Sequence, residues 1–386
     1  MGYKTYNCPA SGKCGGCEWL NVPYPIQLKR KEDDIADVFD DIAPNSLMYP
    51  IIGMDKPLHC RNKIIVPFAP GRNGTIRYGL YARGSHRIVQ RPDCLVENQA
   101  ATPILQTIAS LAKSFKLRAY DEDRGTGFLR YVLIRVSRAT GEVLVCLVCT
   151  GEQFRSSKAF VRELRKAHPE ISTVIMNINK RATNVVLGER EHVLWGKGWI
   201  SEELCGCRFR ISASSFFQVN PIQTEKLYAS AIEMADLGKD DTVLDAYCGT
   251  GTIGIIASKR AGRVVGVESN ATAIRDAKSN ARANGMENID FHTDDAGDFM
   301  TECAKDGASF DVVFLDPPRS GCDEKFLGAL EKMRPERIVY ISCNPKTQAR
   351  DAENLIRNGY HIEKIQPVDM FPHTSHCENI CIFDRK

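Results

Sequence analysis

A cysteine that closes an apolar run is the first residue whose setting could do chemistry. Cys343 stands in YISCNP, where an Asn-Pro pair ends a predicted strand and turns the backbone outward. The residues leave three interpretations open: a buried core thiol, a metal ligand or a nucleophile. A nucleophile would need a ligand pocket beside the strand end and a proton acceptor from elsewhere in the chain.

A proline-bent loop near the C-terminus supplies candidate proton acceptors. The segment DMFPHTSHCE, residues 369–378, contains Glu378 and two histidines, His373 and His376. A carboxylate and an imidazole can each act as a general base. The residues alone do not decide among the three, and ordinary hydrogen bonding within a loop would also account for each of them.

A glycine turn is the strongest local pattern. In DTVLDAYCGTGTIG an apolar strand runs into glycines that open a helix, and the next strand, RVVGVE, ends at Glu268. Such features also occur in dinucleotide-binding folds. However, the turn departs from G-x-G-x-x-G, and a further acidic site, DDA at 294–296, follows a third strand. Acids after successive strands are the pattern of S-adenosylmethionine-dependent methyltransferases, whose ligand carries a sulfonium rather than a pyrophosphate.

A thiol and a methyl donor at one edge of a sheet suit methyl transfer to carbon. Uracil C5 is a weak nucleophile until a thiolate adds to C6, and the C5 proton must later be removed by a base. After the fourth strand the chain reads Asp316-Pro-Pro-Arg319, without the aromatic residue typical of amine methylation. It also lacks the cysteine that follows proline in cytosine-5 methyltransferases, and we interpret Cys322 as structural.

Four of the fifteen cysteines have ligand-like spacing. Cys8, Cys14 and Cys17 cluster near the N-terminus, and Cys94 stands far downstream. Zinc is the generic expectation for four cysteines, but three clustered ligands with a solitary fourth are typical of iron–sulfur sites. Cys60 is an alternative to Cys94 as the fourth ligand.

The composition is that of an ordinary globular protein. Of the 386 residues, 43% are apolar and 26% are charged. No apolar run approaches the roughly 20 residues that span a bilayer, and the first residues form no apolar secretory core. We therefore expect a cytoplasmic, monomeric protein with no membrane association.

One segment is strongly basic although the net charge is only +3. Residues 61–91 contain no acid and seven basic residues: Arg61, Lys63, Arg72, Arg77, Arg83, Arg87 and Arg91. Such a patch suits a phosphate backbone. A solvated surface with ion pairs to acids elsewhere explains it as well.

The chain divides into regions of different pattern. Within residues 100–200, FLRYVLIRV and EVLVCLVCT flank a turn and predict a hairpin, followed by a basic helix. Residues 205–220 are predicted to form an alternating strand, CRFRISASSFFQVN. Beyond them strands and helices alternate, which predicts βαβ units in a parallel sheet.

Several motifs in the same order match one family. SCNP, DMFPHTSHCE, SFFQVNP and DPPRSG together resemble the RNA (uracil-5-)-methyltransferases, from about Cys8 to the C-terminus. The resemblance implies that Cys343 is the nucleophile and Glu378 the proton acceptor. The implied cofactor contacts are Gln218, Tyr247, Gly249, Thr252, Glu268, Asp295 and Asp316. The expected RNA contacts are Arg61, Lys63, Arg130, Phe217, Arg319 and His373. Cys377 departs from the expected Val or Tyr, which should affect packing more than chemistry.

The N-terminal cysteines resemble the ribosomal RNA branch of this family. The resemblance implies a structural [4Fe-4S] cluster on Cys8, Cys14, Cys17 and Cys94. It also implies methylation of uracil C5 in 23S ribosomal RNA, with S-adenosylmethionine, through a covalent bond between cysteine and uracil C6. Many relatives begin with a β-barrel RNA-binding domain, and we expect this protein to lack one.

The expected fold is α/β with two domains. A Rossmann-like methyltransferase domain is expected at 206–386. A central α+β RNA-binding domain with the iron–sulfur cluster is expected at 1–20 and 51–205, and residues 21–50 are expected to pack on the catalytic domain, as in family members. Two alternatives stay open: the same chemistry on transfer RNA, as in archaeal relatives with clusters, and a non-catalytic RNA-binding iron–sulfur protein. The presence of both Cys343 and Glu378 disfavours the second.

Overall fold

The computed structural model describes residues 4–82, 84–91 and 93–386, so Arg83 of the basic segment lies outside the described residues. The helices are α1 (Tyr24–Phe39), α2 (Ala101–Ser114), α3 (Ser157–Ala167), α4 (Pro221–Ala235), α5 (Thr252–Ala257), α6 (Ala271–Ala283), α7 (Ala296–Lys305), α8 (Glu324–Met333) and α9 (Pro345–Arg357). Within these ranges no helix is long and apolar enough to cross a membrane.

The strands of the first half of the chain are β1 (Lys63–Pro70), β2 (Ile76–Tyr78), β3 (Leu80–Tyr81), β4 (Ile88–Val89), β5 (Leu129–Val136), β6 (Val143–Cys149), β7 (Ile171–Ile178) and β8 (Arg190–Trp195). The later strands are β9 (Ile200–Leu204), β10 (Cys207–Ile211), β11 (Thr242–Ala246), β12 (Arg263–Glu268), β13 (Ile289–Thr293), β14 (Val312–Leu315), β15 (Arg337–Ser342), β16 (Tyr360–Val368) and β17 (Glu378–Arg385).

A seven-stranded sheet carries the second half of the chain, in the order β13-β12-β11-β14-β15-β17-β16. The first five of these strands are parallel, and β17 pairs antiparallel with both of its neighbours. β11, β14 and β15 are nearly continuous apolar runs, as expected of parallel strands that helices cover on both faces. The predicted Rossmann-like fold is confirmed. Its parallel strands end together at one edge, where ligands bind in such folds.

A second sheet, in the order β2-β1-β5-β6-β7-β8, forms the central region. The predicted hairpin is confirmed, because β5 and β6 pair antiparallel. One face of this sheet packs against α2 and α3. The other face shares a buried core with β9, β10 and α4, and this core joins the central sheet to the catalytic sheet.

The predicted boundary between residues 205 and 206 falls within a hairpin. β9 and β10 pair antiparallel on either side of it. Of the predicted strand at 205–220 only Cys207–Ile211 is a strand, and the rest is a turn and a loop that ends at Asn220, the N-cap of α4. The division into domains at this point stays a prediction.

Helix α1 and the segment after it lie against the catalytic sheet. Ile35 and Phe39 belong to the same buried cluster as Tyr340 and Phe383 of that sheet. Burying an apolar side chain of this size stabilises the fold by about 1.5–3 kcal/mol. Further along, Ile52 bridges to Val368, at the end of β16. The N-terminal segment is therefore anchored beside the loop that leads to β17.

Candidate active site

A cavity of about 790 Å³ lies at the carboxyl ends of the parallel strands. We call it the active-site cavity. Its lining includes twelve predicted site residues: Lys63, Phe217, Gln218, Tyr247, Gly249, Thr252, Glu268, Asp295, Asp316, Arg319, Cys343 and Glu378. It also includes Phe216, Tyr228 and Phe371, which sequence reasoning missed. The fold thus brings the predicted nucleophile, base and cofactor contacts to one place.

The register between β15 and β17 places Cys343 beside Glu378. The strands pair antiparallel, with Ser342 opposite Asn379 as the last pair. Cys343 directly follows Ser342, and Glu378 directly precedes Asn379, so the two residues lie just beyond this last pair. They are close enough for the charge of Glu378 to raise the pKa of Cys343. A thiol and a carboxyl placed in this way can act on neighbouring atoms of one ligand.

Glu378 is a buried carboxyl with an unusual proton affinity. Burial, followed by the nearby Asp316, raises the pKa of Glu378 to about 8, while Arg319 acts in the opposite direction. Its Oε2 has no hydrogen-bond partner among the described residues. A pKa near neutrality suits a group that must accept a proton and then release it.

Cys343 is half-buried, and its thiol is tuned by the same neighbours. Partial burial and the Glu378 carboxylate raise the pKa of Cys343, whereas a hydrogen bond from Arg319 lowers it. The thiolate is the reactive form of cysteine. Arg319 is therefore the side chain that favours a nucleophilic sulfur here.

Asp245, on β11, lies outside the lining of the active-site cavity, which includes five acidic residues: Glu268, Asp295, Asp316, Asp323 and Glu378. Asp245 is buried and Asp316 partly buried, and burial raises the pKa of each of these carboxyls to about 7. Asp245 also accepts the N–H of Gly254 at 2.7 Å, which ties β11 to the start of α5. Carboxyls favour a cationic ligand over a phosphate. Asp245 was not among the predicted contacts, although the D-x-x-C-G sequence contained it.

The glycine turn requires its glycines for steric reasons. Gly251 has a φ of +77°, and a Cβ at this position would lie 2.7 Å from the Phe291 ring. Tyr247 in the same turn also has a positive φ, of 64°. The tight turn brings the Tyr247 side chain and the Gly249 backbone to the cavity wall.

The two outer acids already have backbone partners. Glu268, at the end of β12, accepts the N–H of Asn270 at 2.8 Å through Oε1. Asp295 caps α7, and its Oδ1 accepts the N–H of Gly297 at 3.0 Å. Each carboxylate is thereby fixed in direction at the cavity wall.

Phe216, rather than Phe217, offers an open ring at the active-site cavity. Phe217 is only 5% exposed and packs against Phe209, whereas Phe216 is 67% exposed. The expected RNA contact at Phe217 stays a prediction, since Phe217 also lines the active-site cavity. The sequence contained a signal for the exposure of Phe216, since every second residue from 207 to 217 is buried and the alternation therefore continues past the end of β10.

The prediction that His373 contacts RNA is wrong. The residue is 0% exposed. Its Nε2 lies 2.8 Å from the carbonyl of Pro57, and its Nδ1 lies 3.1 Å from the amide of Gln27. Burial lowers the pKa of His373, so the imidazole is neutral with both nitrogens engaged. That arrangement also disfavours His373 as the proton acceptor.

The expected RNA contact at Arg130 is also corrected. Its side chain is almost completely buried and forms a bidentate pair with Glu122, at 2.6 and 2.8 Å. Nη1 donates to the carbonyl of Arg181 at 2.6 Å. These internal partners hold the guanidinium within the central region.

The four spaced cysteines line one enclosed cavity of about 140 Å³, which we call the cysteine cavity. Its walls include Cys8, Cys14, Cys17 and Cys94. Arg91 donates to the Cys94 sulfur at 3.4 Å. Cys60 is buried and is not part of this lining.

The size of the cysteine cavity bears on what the thiols can hold. In the described part of the chain, no three His, Cys, Asp or Glu side chains are grouped closely enough to hold one metal ion. A zinc ion requires its sulfurs at about 2.3 Å from a single point. Four thiols around a space several times the roughly 30 Å³ of a water molecule suit a cluster of several atoms better.

Lys63 and Arg61 have different surroundings. Lys63 lines both the active-site cavity and the cysteine cavity. Burial and the opposed Arg135 lower the pKa of Lys63 to about 8. Arg61 lines the cysteine cavity and is not in the lining of the active-site cavity. The expected RNA contact at Arg61 stays a prediction.

The sheet order and the cavity at its strand ends define a Rossmann-like methyltransferase. A sequence profile described as tRNA (Uracil-5-)-methyltransferase matches residues 189–386. An uncharacterized RNA methyltransferase of Halalkalibacterium halodurans is 40% identical over 381 residues, which are 98% of this chain and 83% of that protein. Another, of Oceanobacillus iheyensis, is 40% identical over 368 residues, 95% of this chain and 80% of that protein. The chain belongs to the RNA (uracil-5-)-methyltransferase family.

A solved structure extends the similarity to the N-terminal and central regions. It is the Pyrococcus abyssi tRNA (uracil-54, C5)-methyltransferase in complex with S-adenosyl-L-homocysteine, with a TM-score of 0.79 and 27% identity. The match covers 97% of this chain and 86% of that one. The arrangement of both sheets is therefore common to the two proteins.

Proposed function

We propose that this protein methylates C5 of a uridine in 23S ribosomal RNA with S-adenosylmethionine, giving 5-methyluridine. The observation that carries the proposal is the cross-strand position of Cys343 and Glu378 at the wall of one acidic cavity. The protein acts as a cytoplasmic monomer. S-adenosylmethionine supplies an electrophilic methyl group on a positively charged sulfur.

Cys343 opens the reaction by adding to the ring. Its thiolate forms a bond to uracil C6, and the C5=C6 electron pair moves to C5 and the O4 enolate. C5 then takes the methyl group, and S-adenosylhomocysteine remains. The hydrogen bond from Arg319 favours the thiolate needed for the first step.

Glu378 completes the reaction as the proton acceptor. Its carboxylate removes the proton from C5, the C6–S bond breaks, and the C5=C6 double bond forms again. The Cys343 thiolate is released unchanged, and Glu378 passes its proton to solvent. A pKa of about 8 leaves part of the Glu378 population deprotonated at neutral pH, which this step requires.

The cofactor contacts proposed are those that line the active-site cavity: Gln218, Tyr247, Gly249, Thr252, Glu268, Asp295 and Asp316. Glu268 ends the second parallel strand, where a carboxylate suits a ribose diol. Asp316 is close enough to raise the pKa of Glu378, and its carboxyl suits the positive end of the donor. The complex of the Pyrococcus abyssi enzyme with S-adenosyl-L-homocysteine supports this choice of cofactor.

The RNA contacts proposed at the active-site cavity are Lys63, Phe216 and Arg319. The target base must leave its stack to reach Cys343, and a single-stranded loop permits this most easily. The exposed ring of Phe216 offers a stacking surface, and the two cations suit the phosphates beside the target.

The choice of ribosomal RNA rests on the four cysteines of the cysteine cavity, whose positions resemble those of the ribosomal RNA branch of the family. Transfer RNA is the second candidate, favoured by the similarity to the Pyrococcus abyssi enzyme. The test is to delete the gene and map 5-methyluridine in both RNA classes. We expect its loss from 23S ribosomal RNA, restored by a plasmid copy, with transfer RNA unchanged. Loss from transfer RNA alone would establish the second candidate instead.

We also propose that Cys8, Cys14, Cys17 and Cys94 hold a [4Fe-4S] cluster. The four thiols and the size of the cysteine cavity support it. Methyl transfer needs no electron transfer, so the role of the cluster is structural. Bound there, it would join the loop at Cys8–Cys17 to the segment that carries Cys94.

The cluster is tested by metal content. We expect anaerobically purified protein to be brown and to contain iron and acid-labile sulfide in equal amounts. Cys94→Ser should lose both, whereas Cys303→Ser, on α7 and partly exposed, should retain them. Colourless protein with stoichiometric zinc would contradict the proposal.

A further inference from the structure

One loop connects the end of β16 to Glu378, and we call residues 369–377 the catalytic loop. Phe371 in this loop lines the active-site cavity. Glu378, the first residue of β17, follows the loop directly. Any shift of the catalytic loop therefore moves the proposed base and one wall of the active-site cavity together.

Helix α1 presents polar side chains where an amphipathic helix normally buries apolar ones. Tyr24, Gln27 and Lys31 are spaced three and four residues apart and so share one face of the helix. Gln27 is 0% exposed and Lys31 is 1% exposed. All three side chains bind the catalytic loop.

Lys31 holds the catalytic loop at both ends. Its ammonium donates to Asp369 Oδ1 at 2.5 Å, to the carbonyl of Phe371 at 3.1 Å and to the carbonyl of His376 at 2.7 Å. The three donors of a lysine are thereby all used. The other oxygen of Asp369 accepts the Tyr24 hydroxyl at 2.6 Å.

Gln27 holds the middle of the catalytic loop. Its Oε1 accepts the backbone N–H of His373 at 2.9 Å, and its Nε2 lies 3.1 Å from the His373 ring. His373 has a φ of +66°, a conformation that a residue other than glycine adopts only when its surroundings impose it. The carbonyl of His373 also accepts the N–H groups of Glu18 and Trp19, directly after Cys17.

Stability alone gives no reason for this arrangement. Replacing a buried ion pair by well-packed apolar side chains is often neutral or stabilising. A set of directional bonds, in contrast, fixes a loop in one conformation. Side chains that do not touch the substrate can still affect the reaction rate when they fix the position of reacting groups. A displacement of about 1 Å at those groups can lower the rate by about a hundredfold.

We propose that Lys31 and Gln27 are positioning residues that set the place of Glu378 through the catalytic loop. The inference rests on the proposed function, in which Glu378 removes the C5 proton. Neither side chain touches the substrate. Their loss should therefore slow proton removal specifically and leave formation of the covalent bond to Cys343 possible.

The test uses Lys31→Met and the double variant Lys31→Met/Asp369→Asn, in which no unpaired carboxylate is left buried. For the double variant we expect kcat to fall by about a hundredfold, with KM for RNA and the affinity for S-adenosylmethionine little changed. During turnover, labelled RNA that remains attached to the enzyme after denaturation should increase. Lys29→Met, on the exposed side of α1, is the matched control and should behave as wild type.

Two comparisons separate the possible results. Phe160→Leu lowers stability in the central region, far from the catalytic loop, and shows what destabilisation alone does to kcat. If the double variant melts at a lower temperature but keeps wild-type kcat and adduct level per folded molecule, the positioning role is overturned. Glu378→Gln is run in parallel, because absence of an adduct in that variant would reject Glu378 as the base, the assignment on which this inference rests.

Discussion

Replacing Cys343 by alanine is expected to abolish methyl transfer while the protein still binds S-adenosylmethionine. Without the thiolate, uracil C5 has no route to an enolate, and loss of a nucleophile typically lowers kcat by about 10⁴-fold or more. The side chain is half-buried at the end of β15, and alanine fits there without strain. The measurement is transfer of a labelled methyl group to RNA, beside calorimetric binding of the cofactor.

The control for this variant is Cys303→Ala, which removes a partly exposed thiol from α7. It should retain full activity and confirm that the effect belongs to one position. Substantial methylation by Cys343→Ala would contradict the assignment of Cys343 as the nucleophile, because the reaction would then proceed without a covalent bond to this residue.

Replacing Glu378 by glutamine is expected to trap the RNA on the enzyme. Glutamine has nearly the same shape but cannot accept the C5 proton, so addition and methyl transfer proceed while elimination stops. Loss of a general base lowers turnover by about 10²–10⁴-fold. The trapped species should survive denaturation and disappear when Cys343→Ala is added to the same chain. An absence of adduct would instead favour His376, which is exposed on the catalytic loop.

The pH dependence provides a second readout of the same assignment. The folded-state pKa of Glu378 is about 8, so wild-type elimination should slow as the pH falls below that value. When folding raises the pKa of a carboxyl, the free energy of unfolding falls as the pH rises from the ordinary pKa of the carboxyl to its folded pKa, here about 8. Above that pH this group causes no further decrease. The Glu378→Gln variant has no carboxyl at this position and therefore lacks this decrease. The melting temperature of the variant minus that of wild type should increase as the pH rises to about 8 and stay constant above it.

Residues at the ends of strands were the ones that sequence could locate. Cys343, Glu268 and Asp316 each follow an apolar run, and parallel strands must end at one edge of their sheet, so their convergence follows from pattern alone. Glu378 joined them because β17 pairs with β15. The loop motif did not show this pairing, and the family resemblance implied only the role of Glu378 as proton acceptor.

The errors concern polar side chains that nothing in the local pattern marks as buried. His373 is held by Gln27, which is 346 residues away in the chain, whereas Arg130 pairs with Glu122, only 8 residues away, and also donates to the carbonyl of Arg181. Nothing in the sequence marked Gln27 and Lys31 of α1 as buried either, because their partners His373 and Asp369 are 346 and 338 residues away in the chain. The exposure of Phe216, in contrast, could be predicted from the sequence, because the alternation of apolar and polar positions continues beyond β10.

The bonds between α1 and the catalytic loop also set when the enzyme becomes active during its own synthesis. Lys31 and Asp369 are 338 residues apart in the chain. At about 5–20 residues per second, the ribosome takes roughly 20–70 s to produce the second after the first. Throughout that interval the polar side chains of α1 lack their hydrogen-bond partners on the catalytic loop. Catalytic competence is thus acquired only after Asp369 and the strand that follows it have been made and have joined the sheet.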